Sequence, residues 1–144
     1  MNKKYPSKVS YGLLIFIFLI FFAPFIFHLI DEGFSDELVS VVLVFFIILY
    51  GFILYLFFQT VYIIEDGQLK IKFGFFSFKP IDINDITEIS KTNSILSSPA
   101  PSFDRIEIKY AALGSVIISP KDKISFSKDL VQLNSEIKNN LIEN

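Results

Sequence analysis

The segment at positions 97–105, which reads SSPAPSFDR, holds the side chains best suited to recognition chemistry. Its serine and aspartate oxygens can accept hydrogen bonds from backbone amides, and the guanidinium of Arg105 can bridge carbonyl oxygens. Asp104 and Arg105 are neighbours on a predicted strand, so their side chains point to opposite faces. Two interpretations stay open, because the segment either fixes its own loop or forms a rim that recognises a partner. The residues of this candidate partner-recognition loop are Ser98, Pro99, Ser102, Asp104 and Arg105.

A second candidate site is a basic face close to a membrane, formed by Lys70, Lys72 and Lys79. Each lysine near an anionic leaflet adds about 1 kcal/mol of attraction. Acidic residues between positions 65 and 85 dilute this field, and a phosphoinositide-type site needs a tighter cluster. The three lysines therefore predict a weak contact with anionic lipid head groups.

The residue types that carry most catalysis are scarce in this chain. It has no cysteine and a single histidine, His28, which excludes disulfides, thiolate metal sites, a cysteine nucleophile and a multi-histidine metal centre within one chain. The sequence contains no nucleotide-binding or hydrolase motif. A formal net charge of −2 argues against a nucleic-acid binder. We expect a protein that is not an enzyme and that takes no cofactor, metal ion or nucleic acid.

Two long apolar runs precede both candidate sites and must position them. The runs fill positions 11–30 and 38–58, and they raise the hydrophobic fraction of the whole chain to 52%. At about 1.5 Å per residue, each run can cross a bilayer core of about 30 Å. A cleaved signal peptide is disfavoured because the first run is too long and no small-residue cleavage site follows it. The runs predict a transmembrane helical hairpin.

The basic residues predict how this hairpin is oriented. Lys3, Lys4 and Lys8 precede the first run, and the connecting segment at 31–37 is acidic, with no lysine or arginine. By the positive-inside rule, both termini are expected in the cytoplasm, with the hairpin in the plasma membrane. The expected organisation is a basic N-terminus (1–10), two spans (11–30 and 38–58), an extracytoplasmic acidic loop (31–37) and a cytoplasmic domain (59–144).

The cytoplasmic domain alternates between apolar and polar residues, which predicts antiparallel strands. Asp66-Gly67 predicts a hairpin turn, and Ser119-Pro120 predicts the start of a helix. Four apolar residues then follow at helical spacing: Phe126, Leu130, Leu133 and Ile137. The fold class is α+β, with a two-helix transmembrane hairpin followed by a small antiparallel β-barrel or sandwich of the pleckstrin-homology (PH) type and a C-terminal helix. Split hairpin sheets packed against a helix fit nearly as well.

Three segments of the domain carry a family resemblance: TVYIIEDGQLKIKFG at 60–74, SSPAPSFDRIEIKY at 97–110 and ISPKDKISFSKDL at 118–130. Over positions 60–134 the chain resembles the bacterial PH-like domain of small membrane proteins with one or two N-terminal spans. The middle segment is the most specific, through Pro99, Ala100, Ser102, Asp104 and Arg105. The resemblance implies a fold and a membrane setting, and it implies no reaction.

These observations favour a non-catalytic binding or scaffolding module that is anchored in the membrane. Its expected partners are the lipid bilayer and either other membrane proteins or anionic lipid head groups. The alternative is self-protection, as in bacteriocin or toxin immunity, because some small bacterial membrane proteins of this layout resemble immunity proteins.

Overall fold

A computed structural model describes residues 2–31, 37–94 and 100–142. Ser98 and Pro99 of the predicted loop lie outside the described residues, as do positions 32–36 of the acidic segment. The elements, in chain order, are β1 (Lys3–Pro6), α1 (Tyr11–Asp31), α2 (Glu37–Phe58), β2 (Thr60–Glu65), β3 (Gln68–Phe73), β4 (Phe76–Ser77), β5 (Ile81–Asp82), β6 (Ile86–Thr92), β7 (Arg105–Tyr110), β8 (Gly114–Ile118), α3 (Lys123–Leu133) and β9 (Lys138–Asn139).

Helices α1 and α2 form an antiparallel pair held by aromatic contacts. The ring of Phe46 lies 5.2 Å from that of Phe21, and the ring of Tyr50 lies 5.6 Å from that of Phe18. The Tyr50 hydroxyl also donates to the Leu14 carbonyl at 3.1 Å. Both helices are long and apolar enough to cross a membrane. Most of their large apolar side chains point away from the protein.

The first sheet has the strand order β1-β2-β3-β4, and β5 pairs with β3. The predicted turn at Asp66-Gly67 is confirmed, with φ of 52° and 72° at the two residues. Strand β1 differs from the prediction, in which residues 1–10 form a basic N-terminus outside the domain. Its pairing with β2 runs from Lys3 opposite Ile64 to Pro6 opposite Val61.

The second sheet has the order β8-β7-β6-β9, in which β9 runs parallel to β6. Its inner side chains share one core with those of the first sheet and with Phe126 and Leu130 of α3. Among the described residues the two sheets do not close into a barrel, so of the two predicted shapes the fold is the sandwich. The α+β class and the PH-like architecture are confirmed.

Helix α3 begins later than the sequence predicts. Asp122 is its N-cap and accepts a hydrogen bond from the Ser125 amide at 2.9 Å, so the predicted start at Ser119-Pro120 was wrong. Ser119 is fully buried, and its polar atoms bond to other parts of the domain. The predicted apolar face was partly wrong, because Leu133 is 39% exposed and Ile137 is buried beyond the helix end.

Candidate functional site

Both helices leave the domain from the same end of the first sheet. The chain leaves β1 after Pro6 and returns in β2 at Thr60, and the Ser7 amide donates to the Thr60 carbonyl at 3.1 Å. The Thr60 hydroxyl donates to the Leu56 carbonyl at 2.8 Å, which joins α2 to β2 without a flexible linker. The helix pair is therefore inserted between two neighbouring strands. We call this end of the domain the helix-proximal end.

Residues 7–10, which lead into α1, are bonded to the second sheet and its loops. The Lys8 amide donates to the Ser119 carbonyl at 2.7 Å, and the Lys121 amide donates to the Pro6 carbonyl at 3.0 Å. The Ser10 amide donates to the Pro101 carbonyl at 3.0 Å. The predicted recognition loop therefore lies directly against the start of α1.

The buried phenol of Tyr62 lies at the centre of this junction. Its oxygen accepts a hydrogen bond from the Ser119 amide at 3.0 Å and lies 3.0 Å from the Ser7 hydroxyl. Burial raises the pKa of Tyr62, against the opposing effect of these hydrogen bonds. The phenol is thus a neutral structural group that connects β2 to the residues before α1.

Asp104 joins the loop to two other parts of the chain. Its carboxylate accepts from the Lys8 ammonium at 2.9 Å and from the Lys123 ammonium. Hydrogen bonds from Lys123 and then from Lys8 hold the pKa of Asp104 below its usual value, although burial opposes them. This partly exposed cluster ties the segment before α1 to the first turn of α3.

Arg105 and Ser102 make the bonds that the loop-fixation interpretation predicts. The Arg105 guanidinium donates to the carbonyls of Ser102, at 2.5 Å, and Ser94, at 3.1 Å. The Ser102 hydroxyl accepts from the Asp104 amide at 3.1 Å. Arg105 is 9% exposed and Ser102 is 2% exposed, so neither presents much surface to a partner.

The predicted basic residues lie on or next to the first sheet, and one of them is paired with a carboxylate. Lys70 and Lys72 lie on the outer face of the first sheet, but the Lys70 ammonium is 3.0 Å from a Glu65 carboxylate oxygen. That hydrogen bond lowers the pKa of Glu65. Lys72 lies opposite Val61, close to the helix-proximal end, and Lys79 is exposed between β4 and β5. Lys4 of β1 belongs to the same row of the sheet, with Ile63 between it and Lys70, and it was missed because β1 was not predicted.

A second cluster fixes β1 against α3. The carboxylate of Asp129 accepts from the Lys3 ammonium at 2.9 Å and from the Tyr5 hydroxyl. Burial raises the pKa of Asp129, but the hydrogen bonds from Lys3 and Tyr5 outweigh it and leave the pKa lowered. The Tyr5 ring meets the Phe126 ring edge-on at 5.2 Å. The N-terminal strand is therefore an integral part of the domain.

An open cleft of about 340 Å³ lies where the helices meet the domain. Lys121 supplies a cationic group at its wall, Tyr11 and Phe58 supply aromatic surface, and Lys8 lines it with its ammonium paired to Asp104. The described residues hold no group of three or more histidine, aspartate or glutamate side chains able to bind a metal ion. The chemistry available at this end is therefore that of lysines beside apolar surface.

A family model for the bacterial PH domain matches residues 60–134, just over half of the chain. The chain belongs to the bacterial PH domain family. The match begins at the first residue of β2 and ends just after α3, so β1 and β9 lie outside it. PH domains are typically binding modules without catalytic activity, and they commonly bind lipid head groups or proteins. No curated protein and no solved structure matches the chain.

Proposed function

We propose that this bacterial PH protein is a membrane-anchored binding and scaffolding module without catalytic activity. The observation that carries the proposal is the insertion of α1 and α2 between β1 and β2. A pair of helices built into the sheet in this way keeps the domain next to the membrane that the helices span. Tethering of this kind raises the effective concentration of the domain for partners in the same membrane.

Exposed apolar surface supports a membrane location for the helix pair. Phe16, Phe27 and Phe45 are 58%, 69% and 59% exposed, whereas the core helix of a soluble domain buries such side chains. A cleaved signal peptide fits poorly as well, because cleavage after α1 would remove β1 from the sheet. We therefore treat both helices as permanent membrane spans.

The basic residues support a cytoplasmic domain at the plasma membrane. Lys3, Lys4 and Lys8 precede α1, and the segment between the two helices has no lysine or arginine. Since β1 and β2 belong to one sheet, the N-terminal strand and the PH domain lie on the same side of the membrane. The positive-inside rule makes that side the cytoplasm and puts the acidic segment outside.

Anionic lipid head groups are the partners that the helix-proximal end suits best. Lys72 lies near this end of the first sheet, Lys121 lines the cleft, and Lys79 follows β4. The loop residues Ser102, Asp104 and Arg105 act in this proposal by fixing the loop against the segment before α1 and the start of α3. No observation on the described residues favours the immunity alternative.

Lipids retained by the protein in polymer-bounded membrane discs test this proposal. We expect the full chain to appear in discs in which anionic lipids are enriched over the bulk membrane. We expect the double variant Lys72→Gln/Lys121→Gln to lose that enrichment, because each lysine contributes about 1 kcal/mol near an anionic leaflet. The matched control is Lys109→Gln/Lys138→Gln, at the opposite end of the second sheet.

Two results would contradict the proposal, and they differ in what they reject. A chain recovered without lipid would reject the membrane anchor. Discs with the bulk lipid composition for all three proteins would reject head-group contact and leave the anchor in place.

A further inference from the structure

The turn between β3 and β4 is packed against the last turns of α2. Gly74 has a φ of 60°, and its amide donates to the Gln59 carbonyl at 3.3 Å. A Cβ atom at this position would lie 2.5 Å from Cδ2 of Leu56. Glycine therefore permits both the left-handed backbone and the close approach to the helix.

The aromatic residue after this glycine extends the contact along α2. The Phe75 ring stacks on Tyr55, with centroids 5.4 Å apart, and lies 5.8 Å from the Phe52 ring. Phe52 precedes the end of α2 by six residues, or about 9 Å along the helix axis. The turn thus reaches back beside a part of α2 that lies well inside the apolar segment.

The outer side of the turn is a patch of exposed aromatic surface. Phe75, Phe76 and Phe78 are 65%, 54% and 43% exposed, and the rings of Phe75 and Phe76 lie 5.1 Å apart. Lys72 precedes this patch and Lys79 follows it. Aromatic rings flanked by lysines are typical of a surface at the boundary between acyl chains and head groups, where the lysine ammonium groups reach the water.

We propose that residues 74–78 insert into the cytoplasmic interface of the bilayer and form a third membrane contact beside α1 and α2. This inference rests on the proposed membrane anchor. The inserted turn holds the outer face of the first sheet, with Lys72, at head-group level. The two spans alone would let the domain tilt, whereas a third contact beside the helix pair defines a plane and fixes the tilt.

Single tryptophan substitutions in the full chain measure the depth of the turn, because the natural sequence contains no tryptophan. The chain is reconstituted in phosphatidylcholine–phosphatidylglycerol vesicles whose acyl chains carry bromine either near the head group or near the chain end. Phe76→Trp reports on the turn, and Phe78→Trp is a second reporter if the first variant is poorly folded. Phe45→Trp reports on the middle of α2. Leu113→Trp, at a fully exposed position in the turn between β7 and β8, is the matched control in the domain.

We expect blue-shifted emission from Phe76→Trp and quenching several-fold stronger with the shallow bromines than for Leu113→Trp. Phe45→Trp should be quenched by the deep bromines, and iodide in the buffer should quench only Leu113→Trp. If both turn reporters behave like Leu113→Trp while Phe45→Trp is quenched by lipid, the proposal that the turn inserts is wrong, and the proposed membrane anchor is retained. If Phe45→Trp also escapes lipid quenching, the anchor and the inserted turn are both wrong.

Discussion

A chain in which an Asn-Gly turn replaces residues 8–59 is expected to fold as a cooperative domain without a membrane, whereas residues 60–142 alone are expected not to fold stably. Ser7 and Thr60 already lie side by side, so a two-residue turn can connect β1 to β2. The shortened chain keeps the strand pairing and the contacts of Tyr5 and Lys3 with α3.

Removal of β1 has a large expected effect because several contacts are lost together. Full burial of a large side chain contributes about 1.5–3 kcal/mol, and the partly buried Tyr5 contributes a fraction of that. Asp129 is 8% exposed and would lose both of its partners, at a further cost of about 1–3 kcal/mol or more. A domain of about 85 residues has a total stability of about 4–12 kcal/mol.

Urea unfolding followed by circular dichroism distinguishes the two chains. We expect a single sigmoidal transition for the chain with β1 and a weak or absent transition for residues 60–142. Equal stability of both chains would show that β1 is dispensable and would contradict the description of one domain interrupted by the helix pair.

Replacement of Arg105 by alanine is expected to lower the free energy of unfolding by about 3 kcal/mol, because hydrogen bonds to charged groups are worth about 1.5–3 kcal/mol each. The change removes the donors to the carbonyls of Ser102 and Ser94 and leaves a space at a buried position. The loop at 100–104 then loses the hydrogen bond from Arg105 to the Ser102 carbonyl, which ties it to β7. The unfolding free energy can be measured on the chain with the Asn-Gly turn.

Two further variants make the Arg105 result interpretable. Arg105→Lys keeps the charge and most of the aliphatic stem but lacks the planar fork, so we expect an intermediate loss. Lys91→Ala, at an exposed position opposite Ile106, should change stability by less than about 0.5 kcal/mol. An Arg105→Ala protein with unchanged stability would refute loop fixation, and the recognition interpretation would then be the better one.

The parts of the fold that the sequence predicts correctly are those with strong local signals. Asp66-Gly67 marks a hairpin because both residues tolerate positive φ, and the alternation after Arg105 predicts buried Ile106 and Ile108. Strand β1 was not predicted, for two reasons. Lys3–Pro6 contributes only one aromatic side chain to the core, and its partner strand β2 begins more than fifty residues later in the chain. No short-range pattern encodes such a pairing.

In the candidate site, too, the contacts between residues close in the sequence are predictable and those between distant segments are not. Bonds within the loop, such as Ser102 to the Asp104 amide, follow from the ordinary chemistry of serine and aspartate in turns. The ion pairs of Asp104 with Lys8 and Lys123 depend on how the N-terminal segment and α3 pack together. At Ser119 the local pattern and the tertiary structure disagree. The sequence there is typical of a helix cap, but in the structure Ser119 bonds to Ser7 and Tyr62.

A disulfide between Pro6→Cys and Val61→Cys tests the central claim, that the helix pair is inserted between two paired strands of one membrane-anchored domain. The chain has no natural cysteine, and directly opposed residues of an antiparallel pair have Cα atoms about 4.5–5.5 Å apart, within the range of a disulfide. A protease site between α1 and α2 allows the chain to be cut after oxidation in native membranes. We predict that the two fragments of this variant stay joined until a reductant is added, whereas those of a control with Pro6→Cys and Lys109→Cys separate at once. Separation of the Pro6→Cys/Val61→Cys fragments without reductant would contradict the account.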